Sequence, residues 1–423
     1  MKKIKFQTPT GMHDILPFEQ RYFKTITNVA DKIADFYGFG RIETPILEEK
    51  ELFIRGVGAS TDVVQKEIFT LKSKGGDCLA LRPEGTAPII RAYIEHGMAS
   101  RPQPIKLYYI GPFFRYERPQ SGRYRQFWQF GLEIIGEKSS ISDTQIIQLA
   151  YGFFLDLGIK DIKIEINTIG DKECRSVYHR ALIKFLKPKI NFLCVDCHKR
   201  IKENPLRILD CKNEKCQEAI KEVPQTLNHL CVDCHLHFKR VLEYLDESEI
   251  SYQLNPRLVR GFDYYTKTVF EFFISDSEGK PLALGGGGRY DKLVEVLGGK
   301  EAPAVGTAFG LERIVQIMKG IQSDQVKKLR DKVFLAQLGE GGKGKCLKLM
   351  EEFRKANIAV GELLGKNSLK IQMARAAKIG AKLVVIVGQR ESLENLAIIR
   401  DMETGRQETV SVKNLVGEIK KKI

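Results

Sequence analysis

The sequence predicts an α+β domain, in which helices pack on an antiparallel sheet, with a helical insertion and a C-terminal α/β domain. Three observations lead to this prediction. Strand-like segments before residue 325 do not alternate with helical ones. Residues 171–255 have a helical pattern and are rich in lysine and cysteine. From residue 331 onward strand and helix patterns alternate, which is typical of a small domain with a largely parallel sheet.

These changes divide the chain into four segments. The α+β domain takes residues 1–170 and 256–324, and the cysteine-rich insertion takes residues 171–255 between them. The C-terminal domain takes residues 330–423, and the segment GIQSDQVKK before it is predicted to be a linker.

The individual elements follow from periodicity and turn residues. Apolar residues at helical spacing predict a helix over 18–37. A strand around RIETPIL follows, and Pro45 limits it to a sheet edge or a bulge. Further elements are predicted in this order: a helix near 47–55, a hairpin over 66–83, a helix over 84–96, a hairpin over 114–136, a helix over 141–157, a strand at KIEINTIG and a helix over 310–319.

Composition limits the class of protein. The chain has 423 residues, 43% apolar and 29% charged, which suits a globular protein with a large core. Because it has neither a membrane-length apolar run nor the apolar segment of a secretory signal, we expect a cytoplasmic protein. The net charge of +15 favours polyanionic partners, and the last 93 residues hold 18 Lys and Arg against 11 Asp and Glu.

The hairpin FRYERPQSGRYRQFWQFGLEIIG, residues 114–136, has two contrasting faces. Alternate residues of a strand share a face. One face is mostly aromatic and fits a core. The other could be solvated, but a phenylalanine and a glycine between its charges favour a floor for a flat, charged ligand. This second face carries Arg115, Glu117, Arg125, Phe127, Gln129, Gly131 and Glu133.

Three further segments resemble this hairpin in composition. LRPEGTAPIIR, LVRGFDYYTKTVFE and GTAFGLERI each place arginine and acidic residues, with glycine or aromatic residues, between apolar flanks. Buried charges must be paired or used. Together the four segments predict a polar pocket for a polyfunctional charged ligand. Arginine suits phosphate, phenylalanine suits a nucleobase, and glutamate suits an ammonium or a ring N–H.

Two glycine-rich stretches allow more than one interpretation. GEGGKGKC, residues 339–346, nearly matches a P-loop, but Cys346 replaces the hydroxyl that would hold magnesium, so we expect a mobile glycine–lysine turn. The glycine run at 285–288 is either a tight turn or a close approach of the backbone to a ligand, and we favour the second.

Six of the nine cysteines lie between residues 194 and 234. CVDCHKR recurs as CVDCHLH, and two C-x-x-C pairs are typical of tetrahedral zinc. Free thiols or a redox role are the alternatives. The leading ligands are Cys194, Cys197, Cys231 and Cys234, with Cys211 and Cys216 as further candidates and with His198, His235 and His237 nearby.

These motifs together resemble the histidyl-tRNA synthetases, a class II aminoacyl-tRNA synthetase family, over nearly the whole chain. TGMHDILP and RIETPILE are similar to the N-terminal segment and first class motif, which would place Pro45 at a homodimer interface. The hairpin and GTAFGLERI are similar to the second and third motifs. LVRGFDYYTKTVFE and GGGRYDKL resemble the two segments particular to the histidine enzymes and are the most specific match.

The resemblance implies an ATP site on the hairpin. Arg115 would bind the α-phosphate, Glu117 the adenine amino group and Phe127 the adenine ring. Arg313 would hold the γ-phosphate. Magnesium would accompany ATP, bound mostly through phosphates and water. In the turn, Gln120 and Arg123 would reach the acceptor end of tRNA or, for Arg123, the outer phosphates.

The resemblance also implies a histidine site beside it. Arg260 would be the principal catalytic residue, stabilising charge at the α-phosphate together with Arg115 while the histidine carboxylate attacks. Tyr264 is either a packing residue or a contact. The implied histidine-binding residues are Glu84, Thr86, Gln129, Glu133, Arg260, Tyr265 and Tyr290.

The implied activity is ATP-dependent ligation of L-histidine to tRNA(His) through histidyl-adenylate, with the C-terminal domain binding the anticodon. One alternative is an inactive regulatory subunit of histidine biosynthesis, which typically lacks that domain and the arginine segments. Another is a class II synthetase for a different amino acid, against which RGFDYY and GGRYD argue. A zinc ion in the insertion would be structural and not catalytic. Many members of the family lack a metal there, so this feature would depart from the usual pattern of the family.

Overall fold

The computed structural model describes residues 6–120, 122–275, 279–321 and 333–423. The chain divides into two compact units, Met1–Val326 and Lys327–Ile423. The predicted linker GIQSDQVKK lies almost wholly outside the described residues. Among the described helices, none combines the length and the apolar character that crossing a bilayer requires.

The first unit is built on an eight-stranded sheet with the order β1-β5-β6-β11-β10-β9-β7-β8. From β5 across the sheet to β7, each strand pairs with its neighbour in the antiparallel direction. The pairings at the two edges, β1 with β5 and β7 with β8, are parallel. The predicted antiparallel sheet is therefore confirmed. Its strands are β1 Gly40–Arg41, β5 Ile105–Phe114, β6 Gln126–Ile135, β7 Lys163–Thr168, β8 Gln253–Leu254, β9 Thr266–Ser275, β10 Pro281–Arg289 and β11 Ala304–Gly310.

A small three-stranded sheet, ordered β2-β4-β3, stands beside the large one. It consists of β2 Leu47–Glu49, β3 Thr70–Lys72 and β4 Cys78–Leu81, and the antiparallel pair β3–β4 is the predicted hairpin over 66–83. The stretch RIETPIL is not one strand. Only its first residue belongs to β1 and only its last to β2, and the residues between them, including Pro45, which cannot donate to a ladder, lie outside both edge strands.

Helices cover both faces of the large sheet. On one face, the core of the unit forms between the sheet and four helices, which bury Ile26, Phe153, Val241 and Ile314 among others. The other face carries α3 and α9, which contact each other, and beside these helices β6, β10 and β11 are open to a cleft. The helices outside the insertion are α1 Pro17–Phe36, α2 Lys50–Val57, α3 Thr86–Glu95, α4 Ile141–Asp156, α9 Leu293–Val296 and α10 Leu311–Gly320.

Residues 171–255 are largely helical, as their pattern predicts, although β8 near their end belongs to the large sheet. Tyr178, Leu182 and Ile208 belong to a separate small core, which also includes three cysteines. Phe238 and Val241, in contrast, pack into the main core. The boundaries of an insertion domain remain a prediction. The helices of this region are α5 Lys172–Leu186, α6 Val195–Glu203, α7 Glu214–Ala219 and α8 Val232–Glu247.

The second unit is an α/β domain with a five-stranded sheet, ordered β13-β12-β14-β15-β16. The sheet is mixed rather than largely parallel, because β15 and β16 form an antiparallel hairpin beyond the parallel strands. Its elements are β12 Val333–Gln337, α11 Gly339–Lys355, β13 Val360–Glu362, α12 Leu369–Ile379, β14 Leu383–Val387, α13 Gln389–Glu394, β15 Leu396–Asp401, β16 Gln407–Ser411 and α14 Val412–Lys422.

The expected mobile turn at GEGGKGKC is wrong, because these residues form the first two turns of α11. Gly342 faces the backbone of Val387, where an added Cβ would lie 2.4 Å from its carbonyl oxygen. Cys346 is fully buried in the domain core. The glycine and the cysteine at these positions therefore serve packing.

Candidate active site

A cleft of about 820 Å³ lies over the open face of the large sheet. It brings together segments that are far apart in the chain, which are α3, the β5–β6 connection, the 260–265 loop, β10 and the start of α10. The predicted site residues that line it are Glu84, Thr86, Arg115, Glu117, Arg123, Phe127, Gln129, Arg260, Tyr265, Tyr290 and Arg313.

The second strand of the hairpin, β6, forms part of the floor of this cleft, and its side chains alternate between the two faces of the sheet as predicted. Phe130, Leu132 and Ile134 point into the main core, whereas Phe127, Gln129 and Glu133 belong to the opposite face. The first strand lies earlier in the chain than predicted, because β5 spans Ile105–Phe114 and ends where the predicted hairpin begins. Arg115 and Glu117 therefore lie in the connecting loop, where the N–H of Arg115 donates to the carbonyl of Arg125 at 2.9 Å.

Glu133 is buried at the base of the cleft between two hydroxyl groups. The hydroxyl of Thr86 donates to its Oε1 at 2.8 Å, and the hydroxyl of Tyr290 donates to its Oε2. Burial raises the pKa of Glu133 to about 8, although both hydrogen bonds act in the opposite direction. These three side chains form a polar end to an otherwise aromatic recess.

Glu84 is held by the helix that follows it. Its two carboxylate oxygens accept hydrogen bonds from the backbone N–H groups of Thr86 and Ala87, both at 2.8 Å, so it occupies the N-terminus of α3. An acidic group at this end of a helix is stabilised by the unpaired N–H groups there. Burial nevertheless raises the pKa of Glu84.

Arg115 stands between two aromatic rings. Its guanidinium lies 5.4 Å from the ring centre of Phe127 and 5.5 Å from that of Phe262, and its Nε donates to the carbonyl of Pro83 at 2.8 Å. Glu117 lies between two arginines, 3.9 Å from Arg115 and 3.5 Å from Arg123. The loop thus presents cations beside a flat ring.

Arg260 enters the cleft from the other side. Its Nη1 lies 3.3 Å from the carboxylate of Glu271, and its guanidinium lies 6.0 Å from the ring centre of Tyr265. Burial acts against its charge, but Glu271 holds the pKa of Arg260 above its ordinary value. Among the described residues, its buried Nε and the buried Oε1 of Gln129 have no hydrogen-bond partner. A bound ligand could satisfy both atoms.

Arg313 connects the turn of the hairpin to the sheet. Its Nε donates to the carbonyl of Gly122 at 3.3 Å, and its Nη1 donates to the carbonyl of Ala283. Burial and the nearby Arg123 lower the pKa of Arg313. Gln120 does not line the cleft but pairs with Arg123 across the turn.

Sequence reasoning missed several neighbours. Tyr109, opposite Gly131 in the β5–β6 register, fills the gap that we assigned to a ligand, since an added Cβ at Gly131 would lie 2.2 Å from its ring. Glu271 forms the ion pair with Arg260, but in the sequence only its acidic side chain indicated such a role. Tyr264, left open from sequence, lines the cleft and packs on Tyr290 with ring centres 5.6 Å apart.

The glycine run at 285–288 is neither a tight turn nor a loop. It lies inside β10, between β9 and β11, and an added Cβ at Gly287 would meet the carbonyl oxygen of Gly306 at 1.9 Å. Gly285 and Gly286 also line the cleft, and an added Cβ at Gly286 would lie 2.9 Å from Nη1 of Arg260. Close strand packing is the main reason for these glycines.

The four leading zinc ligands do not come together. Cys194 and Cys197 group with Cys211 and Cys216, whereas Cys231 and Cys234 group with two residues that sequence reasoning left out, Asp171 and Cys174. The physical reason is that the two C-x-x-C segments begin different helices, α6 and α8, which pack in different cores. In the described parts of the chain, neither group includes His198, His235 or His237.

Comparisons with known proteins agree with the geometry. The family model described as "Histidyl-tRNA synthetase" matches residues 11–314, and "Anticodon binding domain" matches residues 332–422. The chain is 44% identical to a histidine–tRNA ligase of Dehalococcoides mccartyi, covering 99% of this chain and 100% of that protein. A histidine–tRNA ligase of Desulforudis audaxviator is also 44% identical, with 98% of each chain covered.

A solved structure supports the same assignment. The apo histidyl-tRNA synthetase of S. aureus superposes with a TM-score of 0.83 at 34% identity, covering 98% of this chain and 100% of that one. Sequence motifs, fold and relatives agree over both units. The chain belongs to the histidyl-tRNA synthetase family.

Proposed function

We propose that this chain is a histidine–tRNA ligase, which makes histidyl-adenylate from histidine and ATP and then transfers the histidyl group to tRNA(His). The observation that carries the proposal is the cleft itself. Buried cations enter it from two sides, and it contains two polar atoms, Gln129 Oε1 and Arg260 Nε, whose hydrogen bonds are not made within the described protein. Buried polar atoms without hydrogen-bond partners are expected where a bound ligand supplies those partners.

In the first step, a carboxylate oxygen of histidine attacks the α-phosphorus of ATP, the bond to the β-phosphate oxygen breaks, and pyrophosphate leaves. Negative charge accumulates at the α-phosphate. Arg115 and Arg260, which face the cleft from different segments, would stabilise this charge without having to reorganise. The protein supplies no covalent nucleophile in this proposal, and positioning and electrostatics provide the acceleration.

ATP would lie along the hairpin. Phe127 would stack on adenine, Glu117 would accept from its amino group, and Arg313 would hold the γ-phosphate. Magnesium would arrive with ATP and be held mainly through phosphates and water. The guanidinium of Arg115 beside the ring of Phe127 supports this arrangement, because it places a phosphate-binding group next to a base-binding one.

The aromatic recess would select histidine. Glu133, Tyr290 and Tyr265 would hydrogen-bond the imidazole, and Glu84, Thr86 and Gln129 would bind the backbone end of the amino acid. Amino acids that lack the two ring nitrogens would leave buried polar groups without partners and would therefore be rejected. Since Glu84 already caps α3, it would bind the α-amino group with its remaining lone pairs.

In the second step, a terminal hydroxyl of tRNA attacks the carbonyl carbon of the adenylate, AMP leaves, and the hydroxyl proton is lost. Gln120 and Arg123, in the turn at the mouth of the cleft, would contact the acceptor end. The basic C-terminal unit would bind the anticodon arm. A homodimer with Pro45 at its interface and a cytoplasmic location complete the proposal, both from family resemblance.

The test is ATP–pyrophosphate exchange with each amino acid in turn, on the parent protein and two variants. Exchange with histidine alone is expected. Arg260→Ala should reduce it by about 10²-fold or more. Arg257→Ala is the matched control, because this exposed arginine, three residues away, does not line the cleft. Histidine binding by a folded protein without any exchange would refute the enzyme and favour a regulatory role.

A further inference from the structure

We infer that the chain holds two separate structural zinc ions, one bound by Cys194, Cys197, Cys211 and Cys216, and the other by Asp171, Cys174, Cys231 and Cys234. In each group, one ligand atom from every residue lies within 4.8 Å of all the others. Neither set follows from the repeated C-x-x-C motif alone, since each site takes one such motif and completes it from elsewhere in the chain.

The spacing in the first group fits a metal better than a disulfide. The sulfurs of Cys194 and Cys211 are 3.8 Å apart. A tetrahedral site with Zn–S bonds of about 2.3 Å has edges of about 3.8 Å, whereas a disulfide bond is about 2.05 Å long. Cys197 and Cys216 are fully buried and complete the tetrahedron from α6 and α7.

The second group contains a carboxylate that is already oriented. Asp171 precedes α5, and its Oδ1 accepts from the N–H of Cys174 at 2.9 Å. Its other oxygen, Oδ2, lies 3.6 Å from the sulfur of Cys231 and so faces the thiols. Three thiolates and one such oxygen form a tetrahedral donor set that zinc accepts.

Backbone donors surround both groups. The N–H of Cys194 points to the sulfur of Cys216 at 3.1 Å, and the N–H of Cys231 points to the sulfur of Cys174 at the same distance. Cys194 and Cys231 each precede the first turn of a helix, where unpaired N–H groups favour thiolates. When zinc binds, each thiol loses its proton as its Zn–S bond forms.

Each ion would leave a net charge of −2 with its ligands, and a cation is available beside each site. Arg200 lies in α6 with Cys197, and the backbone N–H of Arg175 donates to the carbonyl of Asp171 at 3.0 Å. Both arginines also extend toward the cleft. Arg200 binds Asp62 at 3.1 Å, and Arg175 donates to the carbonyl of Tyr265 at 3.3 Å.

The first site lies against the wall of the cleft. Cys194 and Cys211 line the cleft. The 204–207 turn, which lies in the chain between the two cysteine pairs of this site, contacts the loop that carries Arg260. Arg207 donates to the carbonyl of Gly261 at 2.9 Å, and Asn204 donates to Asp263 at 2.7 Å. A zinc ion in the first site would hold the loop that contains Arg260 in place. The binding of zinc does not depend on the proposed ligase activity.

The first measurement is zinc content by plasma mass spectrometry of the full-length protein purified without chelator. Two zinc ions per chain are expected, one for each group. Cys216→Ser should lose one ion and Cys234→Ser the other. Cys78→Ser, at an exposed cysteine outside both groups, should keep both ions. Loss of all zinc in one single variant that is still folded would overturn the assignment to two independent sites.

A second measurement covers the case in which a cysteine variant fails to fold. Asp171→Ser keeps a hydroxyl to cap α5 but removes the carboxylate, so the second ion should be released faster to a colorimetric chelator while the first is unchanged. Thiol titration of the denatured parent protein completes the test. A parent protein free of zinc would overturn the proposal, whether all nine cysteines titrate as free thiols or some are lost to disulfides.

Discussion

The carboxylate of Glu133 accepts a hydrogen bond from the hydroxyl of Tyr290, although 157 residues separate them in the chain. Glu133 comes from β6, and Tyr290 directly follows β10. The strand between them, β11, brings Gly306 opposite Glu133, and an added Cβ at Gly306 would lie 1.7 Å from the carboxylate. A glycine on the intervening strand is therefore required for the two side chains to meet.

This pair provides a first prediction about substrate selection. Glu133→Gln should lower kcat/KM for histidine by about 10- to 100-fold, because a ring nitrogen would lose a matched partner. The KM for ATP should change little. Pyrophosphate exchange at varied histidine and ATP measures both constants. Glu295→Gln, at an exposed glutamate outside the cleft, should leave both unchanged, and an equal loss for the two substrates would contradict the assignment.

The same residue predicts a pH dependence of stability. Burial raises the pKa of Glu133 to about 8 from an ordinary value of 4.5. Between these values the folded protein keeps a proton that the unfolded chain has released, so the contribution of Glu133 to stability falls as pH rises. Relative to Glu133→Gln, the parent's free energy of unfolding should fall by up to about 1.4 kcal/mol per pH unit in this window.

Urea unfolding of the parent and Glu133→Gln at several pH values inside this window, and at one below and one above it, measures this difference. Below and above the window the two curves should run parallel, because Glu133 then has the same protonation in the folded and unfolded chains. A constant difference across the window would mean that Glu133 is ionised throughout in the folded protein.

A third prediction concerns Arg289, which sequence reasoning passed over in the GGRYD segment. Its side chain is fully buried and pairs with Asp143 at 2.7 Å and Asp291 at 3.0 Å. Arg289→Met should destabilise the protein by about 3–5 kcal/mol, because Asp143 would stay buried without its arginine and, among the described residues, would keep an ionic contact to His237, 3.4 Å away. Chemical denaturation measures the loss.

Two further variants separate the charge effect from packing. Adding Asp143→Asn to Arg289→Met should recover part of the lost stability, since the unpaired charge is removed. Arg390→Met, which breaks an exposed ion pair with Glu394, should cost less than about 1 kcal/mol. If adding Asp143→Asn lowers the free energy of unfolding of Arg289→Met as much as it lowers that of the parent, the charge explanation fails.

A fourth prediction concerns Gly131 and the ring of Tyr109. Gly131→Ala should destabilise the protein by about 1–3 kcal/mol, because the new methyl group would overlap the ring and force it toward the cleft. Combining it with Tyr109→Ala should relieve the overlap. Thermal unfolding measures both effects. Gly344→Ala, inside α11 with no atom within 4 Å of the new Cβ, should instead be neutral or stabilising.

Local patterns predicted much of this molecule. The alternation of β6 correctly separates Phe130 and Leu132, which enter the core, from Gln129, which lines the cleft, and Glu133, which is buried on the same face against Tyr290. The neighbouring strand was predicted too far along the chain, over the residues that follow Phe114. β5 ends at Phe114 because the next two N–H groups bond to Arg125 and to Glu67, outside a regular ladder. Periodicity does not reveal where such a ladder stops.

By itself, the sequence determined the α+β class, the helical insertion and the C-terminal α/β unit, and most of the site residues that it predicted line the cleft. These features depend on the spacing of apolar residues and on short motifs, which act over a few residues. Only the tertiary structure decided the partners. It divided the cysteines between two groups, added Asp171 and Cys174 to one of them, filled the gap at Gly131 with Tyr109, and paired Arg289 with Asp143. Such pairings depend on which distant segments pack together, and the period of a single strand or helix carries no information about its neighbours.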